Sequence, residues 1–360
     1  MATRAAAPNA PVATCAGRAQ RRRPGTIHSI VKLAVGLAGA GMISRHHLLA
    51  WDKRDDVSVV AIADPNATSA QARAREFGIR SVYIDTAAML QGEKLDVLDV
   101  ATPRETHVEL VAAAIDHGLA VLCQKPLAPT LAEAQALAAR IGPAARLMVH
   151  ENWRFRPAYR ELASWLADGR LGTLRGARMT VHGAGLLPDP AGRYPTLERQ
   201  PFMAALDRLL VAETLIHHLD VLRWLLGPLT LERAHLAQSC PAVRGEDRAT
   251  LLLVTKDGAP VLIDGDLCVH GASARAGESL ELFGTRATIV FADQTLVSRG
   301  EETKVVAFNF DDGYQRSFDA CISHFVDALR NDTAFETSPD DNLKTLALVE
   351  AAYEHAARTS

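Results

Sequence analysis

Two short stretches hold the residue types that reaction chemistry needs. In "VLCQKPLAPT", Lys125 closes an apolar run that reads as a strand, and Pro126 fixes it in the chain. A cation set where a buried strand stops resists burial and is well placed to meet a ligand. In "VAETLIHHLDVLRWLLG", Glu213 and His217 stand four apart, so on a helix they share one face. The carboxylate there would orient the imidazole or raise its pKa, and Asp220, three past His217, lies on nearly the same face. His218 reads as a surface residue of the same helix. An imidazole held in this way can accept a proton, and an ammonium nearby can stabilise charge developing on an oxygen.

Such groups need a scaffold, and the first half of the chain reads as one. From Ile30 to His150, short β-branched runs alternate with alanine-rich amphipathic stretches, the pattern of strands joined by crossover helices in a parallel sheet. The strands are "VKLAVGLAG", "VSVVAIAD", "LDVLDVAT", "AVLCQKP" and "RLMVHEN", with a short addition at "SVYIDT". "SAQARAREFG" and "LAEAQALAARIG" read as helices, each closed by a glycine. After Pro157 a helix, "AYRELASWLADG", is followed by six strand-like runs from "LRGARMTVHG" to "KVVAFNF", which predict a broad, mostly antiparallel sheet. "ISHFVDALRN" and "NLKTLALVEAAYEHAART" read as closing helices. The expected organisation is residues 1–29 as a disordered extension, 30–150 as an α/β domain and 151–360 as an α+β domain whose last helix can pack back on the first.

Within the α/β half, the first strand runs straight into "GLAGAGMIS". Gly39 and Gly41 supply a tight turn and let backbone amides approach a pyrophosphate at the start of a helix that opens with Met42 and Ile43. Ser44 stands where a third glycine often sits and is small enough to keep helix against strand. Asp64 ends "VVAIAD", 25 residues after Gly39, where it can accept hydrogen bonds from both ribose hydroxyls of an adenosine and repel a 2′-phosphate. Strand, glycine loop, helix and acidic strand end occur in the order required for a dinucleotide, NAD in preference to NADP. Thr102 and Lys125 emerge at the carboxyl ends of parallel strands, the edge at which such sheets bind ligands. Hydride transfer from an alcohol leaves a proton to be accepted, a task that suits His217, with Lys125 holding the oxygen or relaying the proton itself.

The glycine loop, "ATPRETH", the lysine followed by proline, "NWRFRP" and "ETLIHHLDVLRWLLG" together resemble the Gfo/Idh/MocA oxidoreductases, over residues 31 to 357. The resemblance implies a Rossmann domain and a second domain built on a large open sheet. It places Lys125 at that family's lysine, His217 at its histidine and Glu213 at its aspartate, all near nicotinamide and substrate. Three residues depart from the family's pattern: Gln124 for glutamate, Glu213 for aspartate and Leu215 for glycine. Around the cofactor the expected residues are Gly39, Gly41, Met42, Ile43, Asp64, Thr102, Pro103, His107, Gln124 and Lys125, with His107 in a capping or packing role. "HENWRFRP" gathers Asn152, Trp153, Arg154 and Arg156, which offer hydrogen bonds and a stacking face to a polyhydroxylated ligand. The proline-rich loop "LLPDPAGRYPTLERQPF" adds Tyr194, Arg199 and Gln200. "QKP" and "HENWRF" are most similar to the branch containing apiose dehydrogenases. The leading reading is NAD-dependent oxidation of a hydroxyl on an aldose, inositol or similar polyol. The competing readings are an NAD(P)-binding regulator acting through protein contacts, and a cofactor-retaining oxidoreductase or hydrolase.

Composition narrows the field further. With a net charge of -3 over 360 residues, the chain has no general attraction to nucleic acid or anionic membrane. Its five cysteines, Cys15, Cys123, Cys240, Cys268 and Cys321, are scattered without a CxxC pair, so neither a disulfide framework nor a metal site is expected, and a reducing cytoplasm fits. No stretch reaches the roughly 18 uninterrupted apolar residues of a membrane span. The arginine-rich start lacks the apolar segment of a secretory signal. The second sheet has one face with no sequence-local helix to cover it, which predicts a homodimer or homotetramer.

Overall fold

The computed structural model describes residues 32–359, and the segment 1–29, read above as a disordered extension, lies outside them. Strands β1 (Leu33–Ala38), β2 (Val57–Ala63), β3 (Ser81–Tyr83), β4 (Val97–Val100), β5 (Ala120–Gln124) and β6 (Leu147–His150) form a parallel sheet in the order β3-β2-β1-β4-β5-β6. Helices α1 (Met42–Trp51), α2 (Ala67–Phe77), α3 (Thr86–Gly92), α4 (His107–Asp116) and α5 (Leu131–Ile141) make the crossovers. This is the doubly wound Rossmann order, whose direction reverses between β1 and β4 and opens a crevice at the strands' carboxyl ends. The central strands are apolar on both faces because helices cover both. Asp99 in β4 is the exception: fully buried, it accepts from Trp51 Nε1 at 2.7 Å and pairs with His47 Nδ1 at 2.9 Å.

The second half begins with α6 (Pro157–Ala167), β7 (Leu174–His182), α7 (Pro195–Arg199) and α8 (Ile216–Leu226). It continues through β8 (Leu229–Ala237), β9 (Arg248–Thr255), β10 (Pro260–Asp266), β11 (Gly277–Gly284), β12 (Ala287–Ala292), β13 (Thr295–Gly300) and β14 (Lys304–Ala307). These eight strands form one sheet in the order β14-β13-β12-β11-β7-β10-β9-β8, antiparallel except where β7 meets β10. The sheet has eight strands where six runs were read. "ESLELFGTRATIVFAD" is a hairpin of β11 and β12, and "TLVSRG" forms β13 although only Leu296 and Val297 give it apolar character. Alternate residues such as Leu251, Leu253, Val261 and Ile263 are fully buried on one face.

Two long helices, α9 (Phe310–Arg330) and α10 (Pro339–Thr359), complete the fold. Helix α9 starts well before the expected "ISHFVDALRN" because its first turns bury only a sparse apolar set. It returns to the first sheet, where Phe318, Ile322 and Phe325 join Leu33, Val35 and Leu122 in one core. Helix α10 packs against α5 and β8. Among the described residues no helix is long and apolar enough to cross a membrane.

Candidate active site

The crevice beside β1 is shaped for an anion. Gly39 lies at φ 101°, in the left-handed region, and a Cβ there would come within 2.5 Å of the Ala101 carbonyl, so only glycine fits. Gly41 is the N-cap of α1, and a Cβ on it would meet nothing within 4 Å. The first turn of α1 carries no side-chain cap and no acidic residue, so its N–H groups and positive dipole end remain for a phosphate. Ser44, fully buried, fits the third position of the motif by donating to the Gly41 carbonyl at 2.6 Å. Met42 is exposed at the helix start, and Ile43 packs between two core clusters. Asp64 is fixed at the edge of the loop, each oxygen accepting a backbone N–H at 2.7 Å, from Ala40 and Asn66. Each oxygen keeps a lone pair for a ribose hydroxyl. Asp64→Ser is accordingly expected to weaken NAD binding and relax the bar against NADP, measured by calorimetric titration of both nucleotides. An unchanged NAD affinity would reduce Asp64 to a turn residue.

Lys125 leaves the end of β5 and reaches the segment before α8. Its Nζ donates to the Glu213 carbonyl at 2.9 Å and to Glu213 Oε1 at 3.0 Å, while Glu213 Oε2 lies 3.7 Å from Arg104. Two of its three N–H donors are thus engaged and one is left for a ligand oxygen. Gln124 fixes the backbone: its Oε1 accepts the Lys125 N–H at 2.7 Å, and its Nε2 donates to His47 Nε2 at 3.2 Å. His107 is buried with its ring nitrogens 2.7 Å and 3.0 Å from the carbonyls of Pro126 and Thr102, which ties two strand ends together. The side-chain polar atoms of Gln124 and His107 are therefore engaged within the protein and shape the crevice floor. The Thr102 hydroxyl pairs with Thr106 at 2.7 Å, and Pro103 precedes the short helical turn Arg104–Thr106.

The helix expected to align Glu213 with His217 is not uniform. Leu210–Leu215 is π-helical and α8 begins only at Ile216; Glu213 gives its carboxylate to Lys125 and not to the His217 ring, on which it acts through its charge alone. Glu246 anchors this segment, accepting from the Leu209 and Val211 N–H groups at 3.2 Å and 2.9 Å and from the Tyr353 hydroxyl at 2.6 Å. Those are N–H groups that a helix start leaves open. His217 Nδ1 is bonded instead to Glu151, just beyond β6, and its ring stacks on Trp153 with centroids 4.5 Å apart. Burial, and then the charge of Lys125, holds the His217 imidazole well below the usual histidine range, so it is neutral near pH 7. Sequence reading overlooked Glu151, since an acid at a strand end looks like a solvated loop residue.

The remaining expected contacts divide sharply. Asn152 is buried with its amide on Ser317 of α9 at 2.7 Å. Arg154 is buried and bonded to Asp220 at 2.8 Å and 2.5 Å, to Asp341 at 2.7 Å and to the Glu336 carbonyl at 3.2 Å. Both were expected at a substrate, and both are instead internal ties. Asp220 accordingly accepts its hydrogen bonds from Arg154 and Thr345, and reaches His217 only through its charge. His218 is buried too, contrary to its reading as a surface residue, with Nε2 3.1 Å from Glu278 on β11. Glu278 also accepts from Tyr159 at 2.8 Å and Trp153 Nε1 at 3.1 Å and pairs with Arg156. Burial opposes its ionisation, but Arg156 and the hydrogen-bond donors outweigh it and hold the carboxyl far below the usual range. This knot fixes the indole that stacks on His217. Tyr194 is half-buried against the main core, and Gln200 Oε1 lies 3.4 Å from Arg199. Among the described residues, no group of three His, Cys, Asp or Glu is placed to hold a metal ion.

Fold and crevice define an NAD-binding oxidoreductase. Residues 33–149 match the family profile described as "Oxidoreductase family, NAD-binding Rossmann fold", and residues 210–360 match its "C-terminal alpha/beta domain". The chain belongs to the Gfo/Idh/MocA oxidoreductase family. It is 34% identical to a D-apiose dehydrogenase of Paraburkholderia graminis, over 91% of this chain and 88% of that protein. It is 28% identical to inositol 2-dehydrogenase 4 of Saccharopolyspora erythraea, over 91% of this chain and 94% of that protein. Among solved structures it is similar to an oxidoreductase from Agrobacterium radiobacter in complex with NAD+, L-tartaric acid and magnesium. That likeness has a TM-score of 0.84 and 29% identity, and covers 92% of this chain and 98% of the other.

Proposed function

We propose that the protein is an NAD-dependent dehydrogenase that oxidises a hydroxyl of a sugar or polyol, with Lys125 and His217 at the reacting oxygen. The observation that carries this reading is the pairing of two polar groups, each anchored on its own carboxylate. Lys125 rests on Glu213 and keeps one N–H donor. His217 rests on Glu151, and its Nε2 makes no hydrogen bond to another described residue. In this reading Lys125 holds the substrate oxygen and stabilises the alkoxide, while neutral His217 accepts the hydroxyl proton at Nε2. NAD, held by the loop at Gly39 and Gly41 and by Asp64, supplies the hydride acceptor. Trp153 offers the adjoining apolar face. The names of the relatives support a polyhydroxylated substrate, an aldose or an inositol. A cytoplasmic setting fits the free state of Cys123, Cys240, Cys268 and Cys321.

The test is a screen of aldoses, inositols and other polyols with NAD and with NADP, followed by reduced-cofactor absorbance. Turnover with NAD is expected. Bound NAD with no turnover on any of them would favour a regulatory role.

We also propose a homodimer or homotetramer formed through the outer face of the eight-strand sheet. Registered neighbours Leu252, Leu262, Arg178, Glu281, Val290 and Val297 form a row across that face, with an Arg178–Glu281 pair at 3.7 Å in its middle. Its four aliphatic members are only half-buried. Light scattering should show an oligomer at micromolar concentration, and a stable monomer would contradict it.

A further inference from the structure

We infer that Glu151 is the positioning residue of His217: its carboxylate holds the imidazole in the tautomer that presents Nε2 as a proton acceptor, and a proton taken up by Glu151 reverses that tautomer. The inference rests on the reading of His217 as the base. Glu151 is fully buried, its Oε1 bonds His217 Nδ1, and its Oε2 has no hydrogen-bond partner. Trp153 lies nearly parallel to the imidazole, at 18°, and so fixes its plane. A half-turn within that plane would set a ring carbon against Glu151 and lose the hydrogen bond, so the ring keeps Nδ1 there and changes its role by moving a proton.

A neutral imidazole carries one N–H. When Glu151 is ionised it can only accept, so the N–H sits on Nδ1 and the lone pair of Nε2 faces the crevice. When Glu151 is protonated and donates to Nδ1, the ring proton must sit on Nε2, which becomes a donor and can no longer take a proton from a hydroxyl. In the productive state the substrate O–H bond breaks, its proton goes to Nε2 and its electron pair stays on oxygen. The Nδ1–H remains on the Glu151 carboxylate, whose charge faces the new imidazolium.

The surroundings put this switch in a working range. Burial raises the Glu151 carboxyl most, while Lys125 just past β5, Arg154 in the turn after β6 and His218 on α8 pull it back, leaving it at about 7. Asp220 on α8 and the Cys321 thiol on α9 also face it. His217 feels burial, Lys125 and His218 on one side and Glu213 and Asp220 on the other, and stays well below its usual range. Burial disfavours both charges, raising the carboxyl and lowering the imidazole that it bonds, so a proton added to the pair as the medium is acidified settles on Glu151 and the base is lost without an imidazolium forming.

The experiment needs no substrate: ring 15N shifts of histidine-labelled full-length protein, recorded from about pH 6 to 8.5, with His217 assigned by difference against His217→Ala. Wild type should pass from the Nε2–H form at the acid end to the Nδ1–H form at the alkaline end. Glu151→Gln, which cannot titrate, should lose the transition, and Glu151→Asp should keep one. A single His217 tautomer throughout in wild type, or an unchanged transition in Glu151→Gln, would overturn the inference. Turnover of His217→Ala decides the underlying reading separately, because full activity there would remove His217 as the base and leave the tautomer result standing.

Discussion

Lys125→Ala is expected to turn over about two to four orders of magnitude more slowly than wild type, with NAD binding nearly intact. The ammonium is bonded to Glu213, while Asp64 is held by the Ala40 and Asn66 N–H groups, so the nucleotide loses little when the ammonium goes. A substrate oxygen, by contrast, loses its fixed cation and meets the Glu213 carboxylate, which among the described residues retains Arg104 at 3.7 Å as its remaining cation. His217→Ala should show a loss of similar size, since proton acceptance disappears. Both groups act on one oxygen, so the double variant should be hardly worse than either single one. Lys125→Arg should rescue little, because a planar guanidinium cannot fill a slot built around two bonds to one compact nitrogen. Stopped-flow measurement of the hydride step on all four variants is the check. Near wild-type hydride transfer in Lys125→Ala would return that lysine to a charge at a strand end.

The scaffold was legible in the sequence because its rules are local. Apolar runs covered on both faces alternate with amphipathic helices, and the glycine loop at Gly39 and the acid at Asp64 occupy places set by backbone geometry. The hydrogen-bond partners of Glu213 and His217 were not legible, because Lys125 and Glu151 reach them from the ends of other strands, and the π-helical turn at Leu210–Leu215 rests on tertiary anchors, Glu246 and Tyr353, and not on the apolar period. The result is an exchange of partners: Glu213 serves Lys125, and Glu151 serves His217. β13 was missed for a related reason, since its few apolar residues are supported by β12 and β14 and not by its own pattern. Polar residues in "HENWRFRP" looked like ligand contacts because only distant partners reveal them as internal. Ser317, Asp341 and Glu278 lie more than a hundred residues further along the chain.

Arg154 gives that last point its sharpest test, for the two readings of this residue predict opposite behaviour. A substrate contact would raise KM when removed and leave the fold alone. The structure instead shows a guanidinium 2% exposed, bridging Asp220 on α8 and Asp341 on α10. Arg154→Ala leaves Asp220, itself 1% exposed, with the Thr345 hydroxyl at 3.0 Å and Arg223 at 3.5 Å as its remaining partners. Removing one member of a buried ion pair costs about 3 to 5 kcal/mol, which in a chain of this length corresponds to a fall in melting temperature of roughly 4 to 7 °C. The pH dependence has a definite sign. Burial already raises the Asp220 carboxyl despite the Arg154 charge, and without that charge it rises further. A carboxyl raised in the folded state destabilises the fold at high pH and ceases to do so once protonated. The deficit of Arg154→Ala against wild type should therefore be largest above neutral pH and shrink as the medium is acidified. Calorimetric melting of both proteins across that range measures it, and a variant that melts like wild type while KM rises would restore Arg154 to the substrate.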